Sequence, residues 1–262
     1  MRAAPAQLAA LPASCWPAAG AVAAGAVPKQ TVIGRSVQGR SIVAVRSGEP
    51  STPERVVVIG CVHGNESAGM RLARRLIGSP PLHDAALWIV PSLNPDGVAA
   101  NTRGNAHGVD LNRNFPFGWR PLGGLEYSGA HSLSESESRA AARLIRRLRP
   151  DLTIWFHQPL DLVDRSGGDA AIERRRFSQL VGLPLVRLSR YPGSASSWQN
   201  HALPAGTAFV VELPAPSAAA WSGARPTPSE SWQASTAPPA SCRPPSPTSP
   251  LQLVTRVVSS QA

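Results

Sequence analysis

At 262 residues the chain can form one large α/β domain, or one domain flanked by tails. Its net charge of +10 favours anionic partners, or a solvated arginine-rich surface. Of its 26 cationic side chains only Lys29 is a lysine, and no aromatic residues interleave with the basic runs, so no nucleic-acid-binding module is expected. No run of 18 apolar residues occurs, so no helical membrane span is expected, and Cys15, Cys61 and Cys242 fit neither a zinc knuckle nor a CxxC pair.

Residues 1–29 are rich in Ala and Pro. Two readings stand: a secretory signal cleaved near Ala24–Ala26, which would place the protein in the cell envelope or outside it, or a disordered leader on a cytoplasmic protein. Residues 30–46 alternate as two short strands around Gln38-Gly39, a hairpin pattern. Residues 55–61 are apolar and β-branched, which predicts a buried strand, and Gly60 and Gly64 suit a sharp turn after it. Residues 67–77 have helical apolar spacing, stopped by Gly78-Ser79-Pro80-Pro81.

Residues 86–90 predict a second buried strand, and Asn94-Pro95-Asp96-Gly97 is a dense turn signal. The polar stretch 98–132 is too long for an idle connection inside a compact domain, so a functional loop is expected. A helix is expected over 132–148, with Ser132 and Glu135 as a capping box. A strand over 152–156 delivers His157 at its end, residues 170–181 predict a helix, and residues 183–188 and 207–213 predict strands. Such alternation implies a central mixed, largely parallel sheet with helices on both faces, whose ligand site lies beyond the carboxyl ends of its strands. Residues 215–262 are rich in Ala, Pro and Ser without a usable period, which reads as a disordered tail outside a catalytic domain of residues 30–214.

His63 and Glu66 stand three residues apart where a strand gives way to a helix, and His157 closes another strand. Two histidines and a carboxylate form the ligand set of a catalytic zinc site. Glu212 ends an apolar strand, where a carboxylate is either paired or working, and it suits a base that passes a proton to a leaving amine. Arg113, in the Asp-Leu-Asn-Arg run, is the residue type that holds a carboxylate through two parallel hydrogen bonds; the bland alternative is an ion pair with Asp110.

These residues sit in a pattern that resembles the zinc carboxypeptidase family, the metallocarboxypeptidases of carboxypeptidase A type. The resemblance covers residues 30–214 and rests on HGNE at 63–66, NPDG at 94–97, TRGNAHGVDLNRNFP at 102–116, His157, YPGSASSW at 191–198 and VVELP at 210–214. It implies one Zn2+ held by His63, Glu66 and His157, with Glu212 as general base and acid. It also implies Arg103 at the oxyanion, Asn112 and Arg113 as a substrate-carboxylate clamp, and Tyr191 as a mobile cover. FHQPLDLVD at 156–164 and YPGSASSWQN at 191–200 are most similar to the bacterial murein peptide amidase branch, which cuts the γ-D-glutamyl–meso-diaminopimelate bond of cell-wall peptides. The implied partner is a wall muropeptide as substrate, the protein itself being a monomer, and Asp161 or Asp164 would meet the diaminopimelate ammonium or merely cap a helix or turn. The family's helix after the catalytic Glu has no counterpart pattern in residues 215–262. Three competing readings are an ordinary carboxypeptidase, an amidohydrolase of N-acyl amino acids, and an inactive wall-binding module using the cationic surface.

Overall fold

The computed structural model of the chain describes residues 28–48, 51–82, 85–165 and 171–215, together with Val254. Most of the predicted leader, residues 1–27, and most of the predicted tail therefore lie outside the described residues, while Lys29, assigned to the leader, belongs to the first strand.

The described residues begin with a hairpin, β1 (Lys29–Arg35) and β2 (Ser41–Gly48), paired antiparallel around the predicted turn. Next come β3 (Glu54–Ile59), helix α1 (Ala68–Ile77) and β4 (Ala85–Val90). Asn94-Pro95-Asp96-Gly97, expected as a turn, instead starts a short helix, α2 (Pro95–Ala100). The same residues that spell a turn also make an N-terminus: Asn94 Oδ1 accepts from the Gly97 amide at 2.9 Å, and Pro95 takes the first helical position, where no amide partner is needed.

The long loop follows, then α3 (Ser136–Leu148), β5 (Leu152–His157), β6 (Leu160–Asp164), α4 (Ala171–Val181), β7 (Leu185–Val186), α5 (Ala195–Ala202) and β8 (Thr207–Pro214). Helix α3 starts four residues later than expected. Glu135 is its N-cap without a side-chain capping bond, because the Glu135 carboxylate is committed to the loop through Asn105 and His107.

Among the described residues the strands form one eight-stranded sheet in the order β1-β2-β4-β3-β5-β8-β6-β7. The central four, β4, β3, β5 and β8, are parallel, and both margins include antiparallel pairings. The mixed, helix-covered sheet expected from the sequence is the observed one. Alternate residues of β3 go to opposite sides: Val57 and Ile59 join Trp155, Leu144, Ile145 and Trp198 under α3 and α5, whereas Val56 and Val58 join Leu72, Leu76, Phe156, Phe177 and Phe209 under α1 and α4. A strand buried on both faces must be apolar throughout, which is why residues 56–59 show no polar alternation. Each such side chain contributes about 1.5–3 kcal/mol on burial. Val254 is helical, fully buried, and part of the second of these clusters.

The glycines near the end of β3 serve close approach rather than a special dihedral. A Cβ on Gly69 of α1 would lie 2.0 Å from the Gly60 carbonyl oxygen and 2.5 Å from Phe156 Cβ. One on Gly64 would lie 1.9 Å from the Gly97 carbonyl carbon of α2. Backbone therefore packs on backbone on both sides of His63.

Candidate active site

The parallel strands β3, β5 and β8 deliver their functional residues to one end of the sheet. His63 follows β3 in the turn before α1, His157 is the last residue of β5, and Glu212 lies directly beside it, paired in register across β5 and β8. They line a cavity of about 240 Å³ together with Glu66, Arg103, Asn112, Arg113 and Tyr191. All eight predicted site residues thus meet in one place, although they are spread over 150 residues of sequence.

His63, Glu66 and His157 are buried, and their donor atoms lie within 4.8 Å of one another. His63 Nδ1 is 2.7 Å from Glu66 Oε1, His157 Nδ1 is 3.1 Å from Glu66 Oε2, and the two Nδ1 atoms are 3.3 Å apart. The outer nitrogen of His63, Nε2, is 2.9 Å from Asp110 Oδ1. Asp110 is fully buried and held well below the usual carboxylate range: burial pushes it up, but the His63 hydrogen bond and the charges of His63, Arg103 and Arg113 outweigh that. An ionised carboxylate only accepts, so Nε2 carries a proton and donates it, while Nδ1 faces the carboxylate of Glu66; burial favours the neutral ring, but the bonds to Asp110 and Glu66 outweigh it and raise the affinity of His63 for a proton. Two acceptors at 2.7 Å require a proton or a cation between them. Two imidazole nitrogens and a carboxylate, converging and closed off from solvent, are a donor set that fits one zinc ion.

The surroundings hold this set from behind. Burial pushes Glu66 up, but bonds to His157 and His63 bring it down to about 2. Gln158 braces three elements at once: its amide N–H donates to Glu66 Oε2 at 3.2 Å, its side-chain oxygen accepts from Ala68 at the start of α1, and its side-chain nitrogen donates to the Pro214 carbonyl at the end of β8. Glu212 is nine-tenths buried, and its Oε2 has no hydrogen-bond partner. Burial raises its carboxyl above the usual range and the charge of Glu66 adds to this, against a pull downward from His157. A carboxyl of raised affinity for protons, buried beside a metal-type donor set, has the character of a general base.

Residues 25–163 match the zinc carboxypeptidase family (peptidase M14), which is more than half of the chain. The chain belongs to the zinc carboxypeptidase family. Murein peptide amidase A of Escherichia coli strain K12 is 33% identical over 172 residues, covering 55% of this chain and 66% of that protein, so the chain spans about two thirds of that relative's length. The crystal structure of murein-tripeptide amidase from Escherichia coli O157 superposes with a TM-score of 0.60 at 28% identity, over 71% of this chain and 84% of that one. Carboxypeptidase A from Helicoverpa armigera gives 0.64 at 20% identity over 74% of this chain and 61% of its own, a likeness of fold alone. Family and relatives place the chain among the zinc peptide hydrolases.

The remainder of this zinc carboxypeptidase site is more open. Arg103 does not stand free: Nε and Nη2 both donate to Asp110 Oδ2, at 3.0 and 2.8 Å, while Nη1 reaches Glu66 Oε1 at 3.4 Å on the cavity side. Asn112 is fixed through its Oδ1, which accepts from the Ala195 amide at the start of α5. Arg113 is nearly buried. It pairs not with Asp110 but with Glu126, Nη2 to Oε1 at 2.7 Å, and its guanidinium lies 4.3 Å from the centre of the half-exposed Tyr191 ring. Of the two aspartates considered for an ammonium, Asp164 lines the cavity and Asp161 does not. Both belong to β6, a strand absent from the sequence-based expectation.

Three residues were missed from the sequence: Asp110 in its role behind His63, Gln158 as a brace, and Glu126 in the cavity. Asp110 sits 47 residues from His63 and Glu126 13 from Arg113, with no local pattern that joins either pair. His107, outside the predicted site, is indeed outside the cavity and bonds Glu135.

Proposed function

We propose that the protein is a zinc-dependent amide hydrolase of cell-wall peptides, cutting between γ-D-glutamate and meso-diaminopimelate. The observation that carries this reading is a single cavity holding a buried His63–Glu66–His157 donor set, an unpartnered carboxylate oxygen of Glu212 and an arginine suited to a carboxylate. The murein peptide amidases among its relatives favour the wall-peptide substrate over other peptides.

His63, Glu66 and His157 would hold the ion. Bound zinc supplies a Lewis acid for the scissile carbonyl and an acidified water, with a pKa of about 7. Glu212 takes the proton from the attacking water and hands it to the leaving nitrogen, so that the amine departs neutral. Its position one strand over from His157 keeps it beside the reacting centre. Arg103, with its Nη1 turned to the cavity, faces the negative charge that develops on the carbonyl oxygen, and the Asp110 pair fixes its plane beforehand. Arg113 and Asn112 receive the carboxylate beside the bond to be cut, and the Tyr191 ring covers the guanidinium.

The test is hydrolysis of L-Ala-γ-D-Glu-meso-diaminopimelate by purified protein with zinc, with a chelator, and by Glu212→Gln. Chelator-sensitive release of diaminopimelate supports the reading. Release of C-terminal residues from ordinary peptides, with the muropeptide untouched, replaces it by a general carboxypeptidase. Zinc-loaded, folded protein inactive on both sinks it.

A further inference from the structure

Among the described residues, Glu126 is the cavity-lining carboxylate that bonds the expected substrate clamp itself. Its side chain is 47% exposed, it lines the cavity, and it holds Arg113 Nη2 at 2.7 Å. Arg113 spends a further hydrogen bond on the Asn112 carbonyl, through Nη1 at 3.1 Å.

This arrangement matters for what the clamp will accept. A substrate bearing only a carboxylate must either break the Arg113–Glu126 bond or share the guanidinium with a second negative charge at short range. Both reduce the gain from binding. A released residue that also carries an ammonium group removes the conflict, because Glu126 then keeps a cationic partner while Arg113 takes the carboxylate. Asp164 is the other acidic candidate. Its Oδ1 already accepts from the Leu188 amide at 3.0 Å, and it is buried, so it is the poorer partner for a mobile ammonium.

We propose that Glu126 is a specificity-determining residue that reads an ammonium group on the same substrate residue whose carboxylate binds Arg113. This rests on the amidase reading above and assigns the discrimination within it to a particular side chain.

The experiment compares two tripeptides, L-Ala-γ-D-Glu-meso-diaminopimelate and the same peptide ending in L-2-aminopimelate, which lacks only the distal amine. Wild-type protein is expected to favour the first by at least about tenfold in kcat/KM, since a site built to bond a polar group rejects the analogue without it. In Glu126→Gln that preference falls to near unity: KM rises for the diaminopimelate peptide, and KM for the aminopimelate peptide is unchanged or lower. A variant impaired equally on both peptides overturns the proposal and leaves Glu126 as a support for Arg113, as does a wild-type enzyme without preference. Should wild type cleave neither peptide, the amidase reading fails separately. Calorimetric binding of the two intact tripeptides, whose α-nitrogen is acylated so that only the distal amine differs, to zinc-loaded wild type and variant then decides on Glu126: equal affinities in wild type overturn the proposal, and a preference lost in the variant supports it.

Discussion

The two sides of the cavity are built differently. On one side His63, Glu66, His157 and Glu212 sit at or just beyond the ends of central parallel strands, are at least nine-tenths buried, and are braced by Asp110 and Gln158. On the other side Arg113 and Glu126 close single 3-10 turns, residues 111–113 and 124–126, within the long connection, and Tyr191 comes from a loop. Only Arg113 is buried, and its partners are nearly half exposed. The difference separates what must be held within tenths of an ångström from what must adapt. Bond-breaking groups stand on the sheet, where main-chain pairing sets their spacing, and groups that meet the substrate's variable parts stand where a residue can change without disturbing that spacing. Asp110 joins the two: one oxygen accepts from His63 and from the Asn112 amide that begins the clamp, the other from Arg103.

The comparison breaks most sharply at Glu212. Replacing it with Gln keeps shape and burial but removes the proton acceptor, so kcat should fall by roughly 10²–10⁴-fold while bound zinc, measured by elemental analysis, stays at one per chain. A variant that loses zinc instead would show that Glu212 supports the donor set. Asp110→Asn weakens the hold on His63 and should lower zinc affinity by about 10–100-fold in a competition with a chromophoric chelator. On the exposed side, Arg113→Lys loses the planar fork and should raise KM by roughly tenfold with zinc affinity unchanged. Equal loss of zinc in that variant would mean that the two sides are not separable.

The smallest effect lies outside both. Asp96, at the start of α2, accepts from the Gln38 amide, Ser36 Oγ and Arg40. Burial pushes it up, but these partners hold it below the usual carboxylate range. Its contribution is therefore present above about pH 4, the ordinary carboxyl value, and is lost as pH falls through the lower folded-state value. Asp96→Asn should cost about 1–3 kcal/mol in urea denaturation at pH 7, and the gap to wild type should narrow as the solution is acidified.

The rigid side was the more legible in sequence, for a physical reason. Buried strands announce themselves as apolar runs, and residues that punctuate their ends, such as His63, His157 and Glu212, stand out against that background. The exposed side lacks such contrast: Glu126 is a half-exposed glutamate in a short turn, and its contact with Arg113 lies 13 residues away. Elements that were missed fail in the same way. The five residues of β6 contain two aspartates and read as a cap, yet its Leu162 and Val163 pair with β8. Helix α5 is only eight residues long and is fixed mainly by Trp198 packing under the sheet and by the Asn112 bond to its first amide. The turn expected at Gly60 and Gly64 is there, closed by the Glu66 amide on the His63 carbonyl at 2.9 Å, and what the sequence does not show is that both glycines also permit contact between main chains.

The pairing of His157 with Glu212 in register across β5 and β8 has a mechanical consequence. A donor for the ion and the proton acceptor are separated by one inter-strand step, about 4.8 Å of hydrogen-bonded backbone, rather than by side-chain packing. Thermal loosening of loops leaves that step unchanged, and it is lost only when the ladder itself opens. Amide hydrogens of residues 153–157 and 208–212 should therefore exchange only through the largest opening of the molecule, whereas those of residues 117–127 exchange through small local ones. The reacting groups would stay in register up to the temperature at which the protein as a whole gives way.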